Sequence, residues 1–311
     1  MAKLIDGKKI SGEIKDELKE KVAQLKEQGI EVTLAVIQVG NDPASTVYVG
    51  NKKKACAYIG IRSLAYELPG ETTQEELLAL VRELNDRKDV NGILVQLPLP
   101  AHIDEDTVIR TIAPEKDVDG FHPQSVGLLS IGQKGFVSCT PAGIIQLLKR
   151  SGVEIDGREC VVVGRSNIVG KPMAMLLIRE NGTVTVCHSH TKDLKEVTRR
   201  ADILVVAIGK RQFITADFQK LIQILILLFC HFCASLNITL DFQHFVLHDT
   251  GWQLYFYNIT CVCAHKSLSY RRFVRNLAFQ AVCLCGANQL QFYIFFELKV
   301  MDFNLTSYAD L

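Results

Sequence analysis

The stretch that decides the fold is Gly157-Arg-Glu-Cys-Val-Val-Val-Gly164, followed at once by Arg165-Ser-Asn-Ile-Val-Gly170 and Lys171-Pro172. Its apolar run, bounded by glycines, predicts a turn and a buried strand over 157–164. The sharp turn at 165–170 then opens a helix predicted over 171–180. A glycine turn at a helix N-terminus presents backbone N–H groups and the positive end of the helix dipole, which suits a phosphate. Ser166 stands where a full dinucleotide fingerprint has its second glycine, so a plain tight strand–helix turn fits the pattern as well. Arg165 favours the phosphate, because a guanidinium there can pair bidentately with an adenosine 2′-phosphate. Ser189 follows the strand predicted over 183–187, on the side where a nucleotide ribose usually lies. NADP rather than NAD is therefore the expected cofactor, with Gly164, Arg165, Ser166, Ile168, Gly170 and Ser189 as its candidate contacts.

Working outward, the flanking sequence repeats a strand–helix rhythm. Helices are predicted over 142–150 and 193–200, and a strand over 203–208. In the first half, Ile10, Ile14, Leu18, Val22 and Leu25 form one apolar stripe of a helix over 10–28. A buried-strand run follows over 33–39, then a helix over 44–59, a strand over 61–68, a helix over 74–86 and a strand over 92–97. This alternation predicts an α/β fold of two domains with parallel sheets. The boundaries read from sequence are 1–141 and 142–220, with 221–311 set apart.

Three further segments carry chemistry-bearing residues. Tyr48 and Lys52 are four apart on a predicted helix and so share a face; a surface lysine beside a half-buried tyrosine fits equally. Val95-Gln96-Leu97-Pro98-Leu99-Pro100 lies at a strand's C-terminal end, where α/β folds place ligands; a proline-rich loop with a solvated amide is the plainer reading. Pro114-Glu-Lys-Asp117-Val-Asp119-Gly-Phe-His122 sits in a short connection. There Asp119 could accept hydrogen bonds from an amino-pyrimidine ring, and Asp117 could equally cap a turn.

Together, in this order and spacing, these segments resemble the methylenetetrahydrofolate dehydrogenase/methenyltetrahydrofolate cyclohydrolase family of the FolD type, over about residues 3–218. The resemblance implies a folate-binding catalytic domain at 1–141 and a Rossmann-like NADP-binding domain at 142–220. It implies oxidation of 5,10-methylenetetrahydrofolate with NADP, then hydrolysis of the 5,10-methenyl cation to 10-formyltetrahydrofolate. Lys52 would be the catalytic lysine, serving chiefly the hydrolytic step, with Gln96 holding it. Tyr48 would position the folate, Asp119 would grip the pterin, and Val95, Leu97 and Pro98 would line the pocket. An ordinary lysine is too basic to take a proton near neutral pH, so the role asks for a partly desolvated pocket. The expected partners are tetrahydrofolate derivatives and, where the fold is complete, a second copy in a homodimer.

The last 91 residues break the pattern. They hold five basic and five acidic side chains, against 59 of the 69 charged residues in 1–220, and 11 of the 15 phenylalanines. Proline stops after Pro172. The family's next strand and its later Pro-Gly-Gly-Val-Gly-Pro loop are missing from the sequence pattern, so the cofactor domain reads as truncated. Three readings of the tail stand open: a frameshifted or non-coding sequence, a transmembrane helix over the uncharged 221–240, or a zinc site built from Cys230, Cys233 and their neighbours. A catalytically impaired product of the family is thus the alternative to an active enzyme, and another two-domain dehydrogenase, such as a shikimate-type one, is a third reading. Composition otherwise restricts partners: a formal net charge of +1 gives no electrostatic case for nucleic acid or an anionic membrane. No metal is expected in 1–220, and the charged start of the chain, without an apolar signal core, reads as cytoplasmic.

Overall fold

The computed structural model of the chain describes residues 5–210, 213–215, 218, 224–228 and 292–296. In the first half, α1 (Gly7–Glu27), β1 (Thr33–Val39), α2 (Pro43–Ile59), β2 (Arg62–Leu68), α3 (Gln74–Asp86) and β3 (Gly92–Val95) alternate as the apolar periodicity requires. The strands form a parallel sheet in the order β2-β1-β3, with Thr33 opposite Arg62 and Val39 opposite Leu68. All seven residues of β1 are buried, because this central strand is covered on both faces. Leu34 and Val36 join an apolar cluster with Ile14, Leu18, Val49 and Ile59 of α1 and α2. Ala35, Ile37 and Val39 point the other way, onto Leu77, Val81 and Leu84 of α3. Local signals set the helix ends: Asp42 accepts from the Ser45 amide at 2.8 Å to start α2, and Gly60, at φ 88°, ends it.

Two short helices, α4 (Glu105–Thr111) and α5 (Pro123–Ser130), were not anticipated. Each begins at a cap, Asp104 in one case and His122 followed by proline in the other. Neither is long enough to show a clear helical period. α6 runs over Cys139–Arg150, so the sequence-based boundary at 141/142 falls inside it.

The second half builds another parallel sheet from β4 (Glu159–Val163), β5 (Thr183–Cys187) and β6 (Ile203–Val206), with α7 (Gly170–Arg179) and α8 (Leu194–Arg200) between them. Beyond β6 two further strands are described. β7 (Ile224–Leu228) pairs parallel with β6, and β8 (Phe292–Phe296) with β7, giving the order β5-β4-β6-β7-β8. The uncharged run over 221–240 is as long as a membrane span. Its segment Ile224-Leu-Ile-Leu-Leu is also a five-residue β-favouring run, and the open edge of β6 supplies the partner that such a run needs. The cysteines, histidines and sequons singled out in the tail lie outside the described residues. Among the described residues no helix is long and apolar enough to cross a membrane.

The two halves share one apolar cluster. It passes from Ile10, Ile14 and Leu18 of α1 through Ile144, Leu147 and Leu148 of α6 to Val162 of β4 and Met173 of α7. At its rim Arg150 grips Glu17 bidentately, with both N···O distances at 2.7 Å, and this holds the Glu17 carboxyl below the usual range.

Candidate functional site

Lys52 lies on α2 one turn after half-buried Tyr48 and is only 7% exposed. Its Nζ donates to Gln96 Oε1 at 3.4 Å, across 44 residues of sequence. Gln96 is 3% exposed and fixed at both ends: its backbone N–H donates to the Ile37 carbonyl at 2.8 Å, and its Nε2 to the Leu97 carbonyl at 2.6 Å. The amide oxygen is thereby turned towards the ammonium. Val95 is buried, Leu97 is half-buried and Pro98 is exposed, with a cis Leu97–Pro98 bond. One turn beyond Lys52, burial pushes the Cys56 thiol up to about 11, so it stays neutral beside the ammonium. The neighbouring Lys53 reaches Glu67 of β2 at 2.6 Å in a solvent-exposed ion pair. Lys54 is exposed.

The acidic turn separates its two aspartates. Asp117 is 2% exposed and accepts from the His122 amide and the Ser125 hydroxyl, each at 2.8 Å. Its backbone bridges to Ile93 of β3, which sets the turn beside the strand that delivers Gln96. Asp117 therefore builds the turn, and Asp119 stands half-exposed two residues on. A groove of about 490 Å³ lined by Leu68, Pro69, Thr72 and Leu80 contains none of these residues, so concavity alone does not locate the site.

The glycine turn is tighter than its sequence suggests. Gly164 has φ 123°, and a Cβ there would stand 2.4 Å from the Ala207 carbonyl oxygen at the end of β6. A Cβ on Gly170 would stand 2.2 Å from the carbonyl oxygen of Gly164. The two glycines thus let the loop fold onto itself and onto the neighbouring strand. Ser166, which broke the fingerprint, has a positive role: its Oγ accepts from the Val169 and Gly170 amides at 3.2 and 3.3 Å, capping α7. Arg165 and Ile168 are exposed on the same turn. Ser189 is exposed too, and the pairing of Val163 with Cys187 brings it to the end of the strand next to Arg165.

One contact between the start of α6 and the glycine turn had no signal beyond its residue type. Ser138 precedes α6, where a serine ordinarily caps its own helix, yet its hydroxyl donates to the Ile168 carbonyl at 2.6 Å. Sequence reading can flag a cap there. It cannot see a partner 30 residues away.

This geometry coincides with family relationships. The tetrahydrofolate dehydrogenase/cyclohydrolase catalytic-domain model matches residues 5–119, and the corresponding NAD(P)-binding-domain model matches 138–228. The second match extends ten residues past the sequence-based limit of 218 and takes in β7. Bifunctional protein FolD of Lachnoclostridium phytofermentans is 77% identical over 220 residues, covering 71% of this chain and 78% of that protein. The same-named protein of Acetivibrio thermocellus is 63% identical over 219 residues, covering 70% and 77%. Among solved structures, the bifunctional FolD of Campylobacter jejuni superposes with a TM-score of 0.71 at 50% identity, covering 72% of this chain and 80% of that one. The Trypanosoma brucei FolD, solved with NADP and an inhibitor, gives 0.69 at 40% identity, covering 72% and 77%. With a lysine–glutamine pair at one sheet's end, a glycine turn at the other's, and this level of identity across both domains, the chain belongs to the tetrahydrofolate dehydrogenase/cyclohydrolase family.

Proposed function

We propose that this chain oxidises 5,10-methylenetetrahydrofolate to the 5,10-methenyl cation with NADP and then hydrolyses that cation to 10-formyltetrahydrofolate. The observation that carries the reading is the buried Lys52–Gln96 pair at the C-terminal end of the first sheet. A buried ammonium with an oriented amide partner is costly to keep unless something uses it. The glycine turn fits the cofactor: Gly164 and Gly170 leave a backbone surface with no side chain in the way, and exposed Arg165 forms no ion pair among the described residues. When bound, NADP supplies the hydride acceptor. Gly164, Ser166, Ile168 and Gly170 would shape its diphosphate seat. Arg165 and Ser189 would take the 2′-phosphate and so favour NADP over NAD.

On the folate side, Tyr48 would support the ring system and Asp119 would accept from the adjacent N–H donors of the pterin. Val95, Leu97 and Pro98 would wall the pocket. Lys52, steered by Gln96, would hold the attacking water and relay its proton as the C–O bond forms and the methenyl bridge opens. Hydride transfer needs chiefly alignment of the two ring systems, which the pocket walls provide. The charged start of the chain, without an apolar signal core, suits a cytoplasmic setting. Among the described residues β5 is the edge strand of its sheet, and its exposed Val186, with exposed Ile178 of α7, supports a homodimer.

A second reading rests on the lengths matched: similarity to the family ends at residue 228, and a chain without the family's later loop would be a catalytically impaired member. The assay that decides supplies 5,10-methylenetetrahydrofolate with NADP or NAD and follows the reduced cofactor, then supplies the methenyl compound alone. Turnover in both, faster with NADP, is the expected result. Absence of both establishes the impaired product. In Lys52→Ala the hydrolysis should fall by about 100-fold or more, the usual worth of a positioned proton-transfer group, and oxidation by less. Undiminished hydrolysis in that variant would remove Lys52 from the mechanism.

A further inference from the structure

The folate turn and the cofactor turn are joined by a short run of backbone contacts that runs through a single side chain. Gly120, at φ 66°, closes the acidic turn with its N–H on the Asp117 carbonyl at 3.1 Å. A Cβ on Gly120 would stand 2.8 Å from both the Ser138 amide and the Val137 carbonyl carbon, so the turn rests directly on the backbone of 137–138. From that seat the Ser138 hydroxyl donates to the Ile168 carbonyl of the glycine turn at 2.6 Å. Ser138 is 4% exposed, and it begins α6 without any side-chain cap bond to that helix. A serine at a helix start ordinarily accepts from an amide of its own first turn, a contact worth having. Here that local bond is given up for one to the glycine turn, so the backbone on which the acidic turn rests is tied to the cofactor loop.

We infer that Ser138 is a positioning residue: its hydroxyl sets the spacing between the folate turn at 117–120 and the cofactor turn at 164–170, and so the alignment of donor and acceptor in hydride transfer. This rests on the proposed folate and NADP assignment for its catalytic consequence, but not for its structural one. Hydride transfer is the step that needs both turns in register, because misplacement of reacting groups by a fraction of their contact distance is costly. Hydrolysis of a methenyl substrate needs the folate half alone. A purely structural serine would affect both reactions alike.

The test compares the full-length protein with Ser138→Ala and Ser138→Thr. Amide hydrogen exchange, measured without any ligand, reads the strut itself. Ser138→Ala should raise exchange at once in peptides spanning 117–122 and 164–171, while 33–39 stays unchanged, and Ser138→Thr should restore protection. Where turnover is present, the ratio of dehydrogenase to cyclohydrolase kcat should fall about tenfold in the alanine variant, the worth of one ordinary net hydrogen bond, with recovery in the threonine variant. Increased exchange confined to residues around 138, or equal loss of both activities, overturns the inference. Absence of turnover in the unaltered protein with the exchange pattern intact sinks the proposed function and leaves the strut standing.

Discussion

Gly170 shows how much of the proposed cofactor site is a matter of single atoms. The position has no unusual φ, yet an added Cβ would meet the Gly164 carbonyl oxygen at 2.2 Å and the Arg165 amide at 2.8 Å. Both neighbours are backbone atoms, which cannot swing aside as a side chain can. Gly170→Ala should therefore force the turn apart, costing about 1–3 kcal/mol of stability as overpacking does, and should abolish NADP binding in a fluorescence titration. Gly143, in the middle of α6, has nothing within 4 Å of its missing Cβ. Gly143→Ala should be neutral or stabilise by up to about 1 kcal/mol, since alanine restricts the unfolded chain and favours helix. Equal losses in the two variants, compared by denaturant midpoint, would show that the close approach of Gly164 and Gly170 is not what the loop depends on.

At the scale of elements, α3 is held by its ends. Thr73 and Glu76 form a reciprocal capping box at its start. At its other end Lys116, from the 3-10 turn Pro114–Lys116, donates to the carbonyls of Leu84, Asn85 and Arg87 at 3.0, 2.7 and 2.7 Å. Partial burial lowers its pKa, but three carbonyl acceptors at the negative end of the helix dipole suit the ammonium. Lys116→Met keeps the aliphatic stem and removes the donors. It should lower stability by about 1–3 kcal/mol in urea, with the m-value unchanged; an unaltered midpoint would mean that water replaces the ammonium without loss. The same lysine marks where sequence reading stops. β1 and α3 were legible because five apolar residues in a seven-residue run, or an apolar stripe after a capping box, state their own partners' geometry. Lys116 read only as charge in a turn, because its acceptors lie about thirty residues earlier. The Lys52–Gln96 contact was reachable only through a family resemblance, since no local rule pairs residues 44 apart. β7 was missed for a related reason: its apolar run becomes a strand only against the edge of β6.

For the molecule as a whole, the shared cluster from Ile14 through Leu148 to Val162 decides how the halves respond to one another. These side chains pack without a solvent layer between the sheets' helices, and Arg150 with Glu17 closes the rim. Unfolding either half would strip apolar cover from the other, at roughly 25 cal/mol per Å² exposed. The described core should therefore melt as one unit, with calorimetric and van't Hoff enthalpies equal. NADP binds only one half under the proposed function, yet at about 100 times its Kd it should add roughly 2.7 kcal/mol to the whole transition. Two separate transitions, with NADP shifting one and leaving the other in place, would mean that the cluster is too loosely packed to couple the domains. A single transition that moves with NADP would mean that binding at the glycine turn stabilises the fold around Lys52 as well, although no atom of the cofactor need touch that helix.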